Sequence, residues 1–130
     1  MANEAILIIE TEKPIPMTCA DGTGIEKGAV CKLTSPMTAI LSDGDNDYTA
    51  GIAQSEKIAN TGVNSVSIYR GGVFRMHVNG AVTAGQSVGT SSSTGGANQV
   101  AASTTKPCGI ALQDGTDEDI LVEINFGAQA

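Results

Sequence analysis

The chain has 130 residues, of which 41% are hydrophobic but only 3% aromatic, with 16 glycines and 16% charged residues. That size suits one compact domain, or two small lobes sharing a core, packed from Val, Ile, Leu, Ala and Met with little aromatic volume. A net charge of −7 and an isoelectric point near 4.4 argue against nucleic acid as a direct partner and against adhesion to an anionic membrane, since both need clustered Lys and Arg.

Residues 1–20 differ from the rest. Ala5-Ile6-Leu7-Ile8-Ile9 is a β-prone apolar run, far short of the roughly 20 residues a membrane helix needs. Glu4 and Glu10 flank it and no basic segment precedes it, which also argues against a signal peptide. Pro14-Ile15-Pro16 then enforces an extended path. The run is either the first strand of the body or a projecting arm that orders on a partner by strand addition. An exposed Ile-Leu-Ile-Ile edge must be covered by something. The prolines between run and body favour the arm, an extended N-terminal segment over residues 1–20.

Asp21-Gly22-Thr23-Gly24 reads as a turn, followed by a strand over Ala29 to Leu33. The acidic loop Asp43-Gly44-Asp45-Asn46-Asp47 invites a calcium reading. Counted from Asp43, however, Tyr48 falls at the required glycine; counted from Asp45, Ala50 does. A solvated hairpin loop fits better, and no metal or other cofactor is expected. Ser65 to Tyr69 alternates, with Val66 and Ile68 on one face, and Gly71 to Asn79 puts Phe74, Met76 and Val78 on one face. That is the period of a half-buried strand. Gly71-Gly72 reads as a bulge or kink.

His77 is the only histidine, which excludes a multi-histidine metal site, and as a single residue on the polar face of a strand it reads as a surface residue rather than the base of a triad. Cys19, Cys31 and Cys108 lack C-x-x-C spacing and read as buried free thiols of a protein made in a reducing cytoplasm. Gly89 to Lys106 is low in complexity and is expected to form a long flexible hairpin between strands around Val88 and Val100. Asp114 to Asp119 is a second acidic turn, exposed and solvated, with no acid–base couple. No nucleophile and base stand in an arrangement that suggests an enzyme.

One phrase is stated twice. Gly51-Ile52-Ala53 returns as Gly109-Ile110-Ala111, and the strand around Val66 returns as Ile120, Val122, Ile124 and Phe126 on one face. Upstream, Lys27-Gly28 returns as Ala84-Gly85. The offset is 57 residues from Gly28 to Gly85, 58 from Gly51 to Gly109 and 54 from Val66 to Ile120. The four-residue shortening falls in a hairpin loop, where length changes are tolerated. The expectation is an all-β body, a small antiparallel barrel or sandwich built from two repeated strand sets, residues 21–79 and 80–130.

The ordered set Lys27-Gly28, Gly51-Ile52-Ala53, Val66 to Val73 ending in Arg70-Gly71-Gly72-Val73, Ala84-Gly85, Gly109-Ile110-Ala111 and Leu121 to Phe126 resembles small phage head decoration (capsid cement) proteins. The resemblance covers roughly residues 24–127. It implies a non-enzymatic β-protein on the outside of an HK97-like icosahedral capsid, clustered as a homotrimer and stapling neighbouring capsomers. The partners implied are the major capsid protein of the shell and copies of itself, with neither nucleic acid nor membrane. The location implied is the capsid exterior, after synthesis in the host cytoplasm. Many weak contacts over a lattice add up without any single tight site. With the arm as the contact, the candidate capsid-facing residues are Ile6, Leu7, Ile8, Ile9, Lys13 and Pro14. The alternatives are a carbohydrate- or host-surface-binding module, for which the chain offers few aromatic platforms, and another virion module of tail or fibre.

Overall fold

The computed structural model describes residues 4–42, 48–91, 99–103 and 107–125. All regular structure among them is β: β1 (Ile6–Ile9), β2 (Ile15–Thr18), β3 (Val30–Ser35), β4 (Thr38–Leu41), β5 (Thr49–Ala53), β6 (Ser65–Tyr69), β7 (Gly71–Val78), β8 (Ala81–Val82), β9 (Ser87–Ser91), β10 (Gln99–Ala102), β11 (Gly109–Ala111), β12 (Gly115–Thr116) and β13 (Asp119–Asn125). The Asp43–Asp47 loop, Phe126 and most of the Gly89–Lys106 loop tip lie outside the described residues. The strands expected to flank that tip do pair, with Val100 opposite Thr90.

The strands form two rings. In the first, β2, β4, β3, β5 and β6 close into a barrel. In the second, β7 pairs with β10, β10 with β9, β9 with β11, β11 with β13, and β13 with β7. Each ring has one parallel pairing, β2 with β4 and β7 with β10, and is otherwise antiparallel. The registers also agree strand for strand. Met17 opposite Val66 corresponds to Met76 opposite Ile120, and Cys31 opposite Gly51 to Val88 opposite Gly109. Leu33 opposite Ala39 corresponds to Thr90 opposite Val100, and Ala53 opposite Ile68 to Ala111 opposite Val122. Thr18 opposite Thr38 corresponds to His77 opposite Gln99. Outside the rings, the bridge of Ile25 with Lys57 corresponds to Val82 with Gly115.

Period-2 alternation places the core. Met17, Cys19, Cys31, Ala39, Val66 and Ile68 fill the first ring, and Met76, Val78, Val88, Val100, Ile120 and Val122 fill the second. The first interior is small-residue rich, with Ala29, Ala39, Ala50 and Ala53 all buried, so the barrel can close tightly without aromatic volume. β5 is buried at all five positions, because Ala50 and Ala53 belong to the first core while Ile52 packs with the second. Val30 and Tyr69 follow Ile52 into that second cluster. The second core therefore reaches across to the outer face of the first ring while the first ring keeps an interior core of its own, and each fully buried Val or Ile contributes roughly 1.5–3 kcal/mol relative to exposure.

Two expectations need correction. The N-terminal segment does not project. β1 lies antiparallel on β7, with Ile6 opposite Arg75, Leu7 opposite Phe74 and Ile9 opposite Val73, and the register shifts between Leu7 and Ile9. The Ala5 amide donates to the Gly28 carbonyl at 2.8 Å. Residues 4–9 thus form a strap from the first ring to the second, because β7 has an edge to be paired and Phe74 a face to be covered. β2, also placed in the arm, is a wall of the first barrel. There Pro16 stands opposite Ser67 of β6, which a proline tolerates only where its missing N–H would point away from the ladder. Pro16 therefore sits in the barrel wall, where β2 meets β4 at Thr18 alone, rather than hinging an arm. The second correction is the boundary between the strand sets. β7, assigned to residues 21–79, pairs with β13 from Gly71 to His77, so the chain crosses between rings at Arg70.

Candidate functional site

The groups that could carry chemistry are tied up structurally. The His77 Nδ1 lies 3.1 Å from Asp119 Oδ1 on the adjacent strand. The acidic turn is exposed as expected, but its carboxylates hold backbone: Asp114 Oδ1 accepts from the Ala84 amide and Asp117 Oδ1 from the Gly80 amide, each at 2.7 Å. Lys57 is buried, and its Nζ donates to the carbonyls of Ala20, Asp21 and Thr23 at 2.5, 2.7 and 2.7 Å. It fastens the 20–24 loop as a bound cation would. The Arg70 Nη1 donates to the carbonyls of Thr49 and Ala50 at 2.9 and 2.8 Å, tying the crossing point back to β5. Among the described residues no group of three His, Cys, Asp or Glu side chains is arranged to hold a metal.

All three cysteines are free and buried. Burial pushes the Cys108 thiol up to about 12, and burial followed by neighbouring Cys19 does the same for Cys31. A thiol titrates near 8.5 when unfolded. These two thiols therefore cost no stability below about pH 8.5, and between about pH 9 and 12 ionisation favours the unfolded chain. The folded protein at pH 8 is expected to resist a thiol-disulfide reagent at Cys31 and Cys108, both of which react in denaturant. Stability measured by denaturant titration should fall as pH rises through that window. Rapid labelling of either residue in the folded state would contradict the burial.

What remains is surface. Ile6, Ile8 and Ile9 of the strap are 57%, 46% and 55% exposed, unusual for isoleucine on a strand. Among the described residues β1 pairs with β7 alone, so one edge of the strap faces outward. Leu7 turns the other way and packs on the core. Of the six expected contact residues the structure thus brings three together on the strap; Lys13 is exposed and Pro14 half-buried on the connection to β2. Glu4 and Glu10 flank the strap in sequence, and Glu12 lies beside Gly71 and Arg70. Beneath it opens a groove of about 600 Å³, lined by Glu4, Leu7, Lys27, Gln54, Tyr69 and Phe74 among others.

Sequence reasoning missed other exposed apolar residues. Ile15, Ile110 and Leu112 are 37%, 45% and 44% exposed. Ile110 occupies the same place in its Gly-Ile-Ala phrase as fully buried Ile52. A signal existed: its strand neighbour is Glu123, where Ile52 has Tyr69.

The body thus spends its polar groups on loops and turns apolar residues outward on an edge. A family model described as phage cement protein matches residues 9–125. The chain belongs to the phage cement protein family. It is accordingly a structural protein of the virion, associated with the capsid. No curated protein matches it. The match begins at Ile9 and takes in both rings and the end of the strap, so the family pattern is the two-ring body rather than one ring alone. Among the described residues no helix is long and apolar enough to cross a membrane.

Proposed function

We propose that this protein binds the outer surface of an HK97-like icosahedral capsid and cements neighbouring capsomers, acting as a homotrimer without enzymatic activity and without nucleic acid, membrane or cofactor as partner. The observation that carries the reading is the strap: three isoleucines exposed on a strand with an outward edge. An edge of that kind aggregates unless a partner covers it, and a shell subunit of the capsid is the partner the family supplies. The contact surface is Ile6, Ile8 and Ile9, with Lys13 and Pro14 at its margin; Leu7 supports it from below.

We also infer that the two rings are copies of one ancestral unit, with limits near residues 14–70 and 71–125. The like order of pairing, the single parallel pair in each ring and the matching registers support this. The loop between Ile58 and Asn64 takes up most of the length difference. A doubled ring supplies a rigid body with two faces of similar shape, suited to bridging repeated subunits.

The test is co-sedimentation with purified expanded shells. Removing residues 1–13 would also strip β7 of its partner and uncover Phe74, so exposed side chains make the cleaner change. Ile6→Asp/Ile9→Asp is expected to weaken shell binding by about 100-fold, on the order of 1–2 kcal/mol for each anchor side chain, with thermal unfolding almost unchanged. Shell binding equal to that of the unaltered protein would remove the strap from the contact. Failure of the unaltered protein to bind any expanded shell would remove the cement reading itself.

A further inference from the structure

Inside one chain, the rings meet wall to end. The outer wall of the first ring, Val30, Ile52 and Tyr69, packs with Phe74 and Ile124 of the second. The Tyr69 and Phe74 rings meet edge to face, centroids 5.8 Å apart at 64°. The strand correspondence says where the same two surfaces recur. On the second ring, Ser87, Ile110 and Glu123 stand in register where the first has Val30, Ile52 and Tyr69. On the first ring, Ile15, opposite Ile68, stands where the second has Phe74, opposite Val122, and Arg70 falls where the second has Ile124.

Both recurrent surfaces are open. Ile52 and Phe74 are each 1% exposed, whereas their counterparts Ile110 and Ile15 are 45% and 37% exposed. Leu112, at 44%, extends the wall beside Ile110. Two apolar residues that should by pattern be buried are thus left out at the two places where the internal contact would repeat.

We propose that the wall of the second ring docks on the end of the first ring of another copy, repeating between chains the contact that joins the rings within one. Ile110 and Leu112 meet Ile15 of the next copy, and the Glu123 carboxylate approaches its Arg70, whose Nη1 is held by the Thr49 and Ala50 carbonyls and which Glu12 of its own chain also neighbours. That exchange of Tyr69 for Glu123 on one side and Ile124 for Arg70 on the other replaces an apolar pair with opposite charges. The charge pattern selects the contact in a chain whose net charge of −7 otherwise keeps copies apart. The contact is heterologous, since wall and end are different surfaces, so it propagates head to tail and closes into a ring of chains. Three chains set six β-rings around the axis, the number suited to the homotrimer. The strap that covers Phe74 has no counterpart before Ile15, where the chain reads Glu12-Lys13-Pro14. The contact between copies is accordingly smaller than the internal one, and assembly depends on concentration.

This inference rests on the self-association in the proposed function and not on shell binding, and it is tested on the free protein. Sedimentation velocity over a concentration series should show the unaltered chain moving from 13.2 kDa toward three times that mass. Ile15→Asp and Ile110→Asp should each remain single chains, with thermal unfolding close to that of the parent because both side chains are exposed. Mixed in equal amounts at high concentration, the two variants should form a species of two chains and go no further, since between them they retain one intact wall and one intact end. An unaltered chain that stays single at every concentration would overturn the proposal. So would either variant assembling as the parent does, or a mixture that yields no two-chain species.

Discussion

Phe74→Ala is expected to lower the unfolding free energy by about 3–5 kcal/mol, the cost of emptying a fully buried aromatic site that cannot collapse. Phe74 is the largest fully buried side chain of the protein's described part. It sits where everything meets: Leu7 of the strap lies opposite it, Val122 flanks it, and the Tyr69 ring touches its edge. Truncation removes the transfer free energy of the ring, the edge-to-face contact and the surface on which the strap rests. The melting temperature should drop by on the order of 10 °C or more for a chain of this length. Because the second core takes in Val30, Ile52 and Tyr69 from the strands of the first ring, the transition should remain single. Labelling of Cys31 in the first ring and Cys108 in the second would then rise together as denaturant is added. Phe74→Leu keeps most of the volume and should cost less than about 1.5 kcal/mol. A small effect of the alanine variant, or two separate transitions, would show that the rings are held together by something other than this contact.

The second large effect belongs to Gly51. Its φ is 145°, a conformation L side chains seldom adopt, and an added Cβ would overlap the carbonyl oxygen of Tyr69 and the Ile68 side chain. Gly51→Ala is expected to cost about 3 kcal/mol or more, backbone strain and overpacking combined. Gly109, its counterpart in register, makes the same close approach, to the Glu123 carbonyl. Its φ is not in the left-handed range, so Gly109→Ala should cost less, about 2 kcal/mol from overpacking alone. Denaturant midpoints of the two variants would measure both. Equal costs would mean that the steric approach dominates and the φ of Gly51 matters little; a cost below about 1 kcal/mol for Gly51→Ala would mean that β5 can move away from β6.

That pair also shows why so much could be read early. The Gly-Ile-Ala phrase recurs because a strand crossing close to its neighbour's backbone has no room for a Cβ at its glycine. Alternation in β6, β7 and β13 is a local consequence of the pleat, so Val66, Ile68, Phe74, Met76, Ile120 and Val122 announce their burial in order along the chain. The spacing of these phrases, and with them the family resemblance, needs no knowledge of distant contacts.

The strap, the crossing point and the open surfaces are another matter. Ile6 to Ile9 declares a strand but not the edge it will join, because edge pairing depends on which segment distant in sequence leaves a free edge and an apolar face to cover. β7 could have ended the first strand set until its seven-position ladder with β13 took it into the second. The same phrase buries Ile52 and leaves Ile110 half in water, for the reason that Tyr69 meets a second ring and Glu123 within one chain meets none. The amino-acid sequence by itself determined the all-β class, the longer alternating strands with their inward faces, the recurring Gly-Ile-Ala phrase and the family. Only the tertiary structure decided which ring each strand entered, that the first residues lie across the body, and which isoleucines stay outside. Side-chain alternation is encoded residue by residue, whereas pairing and burial between rings are settled by contacts among segments far apart in the chain.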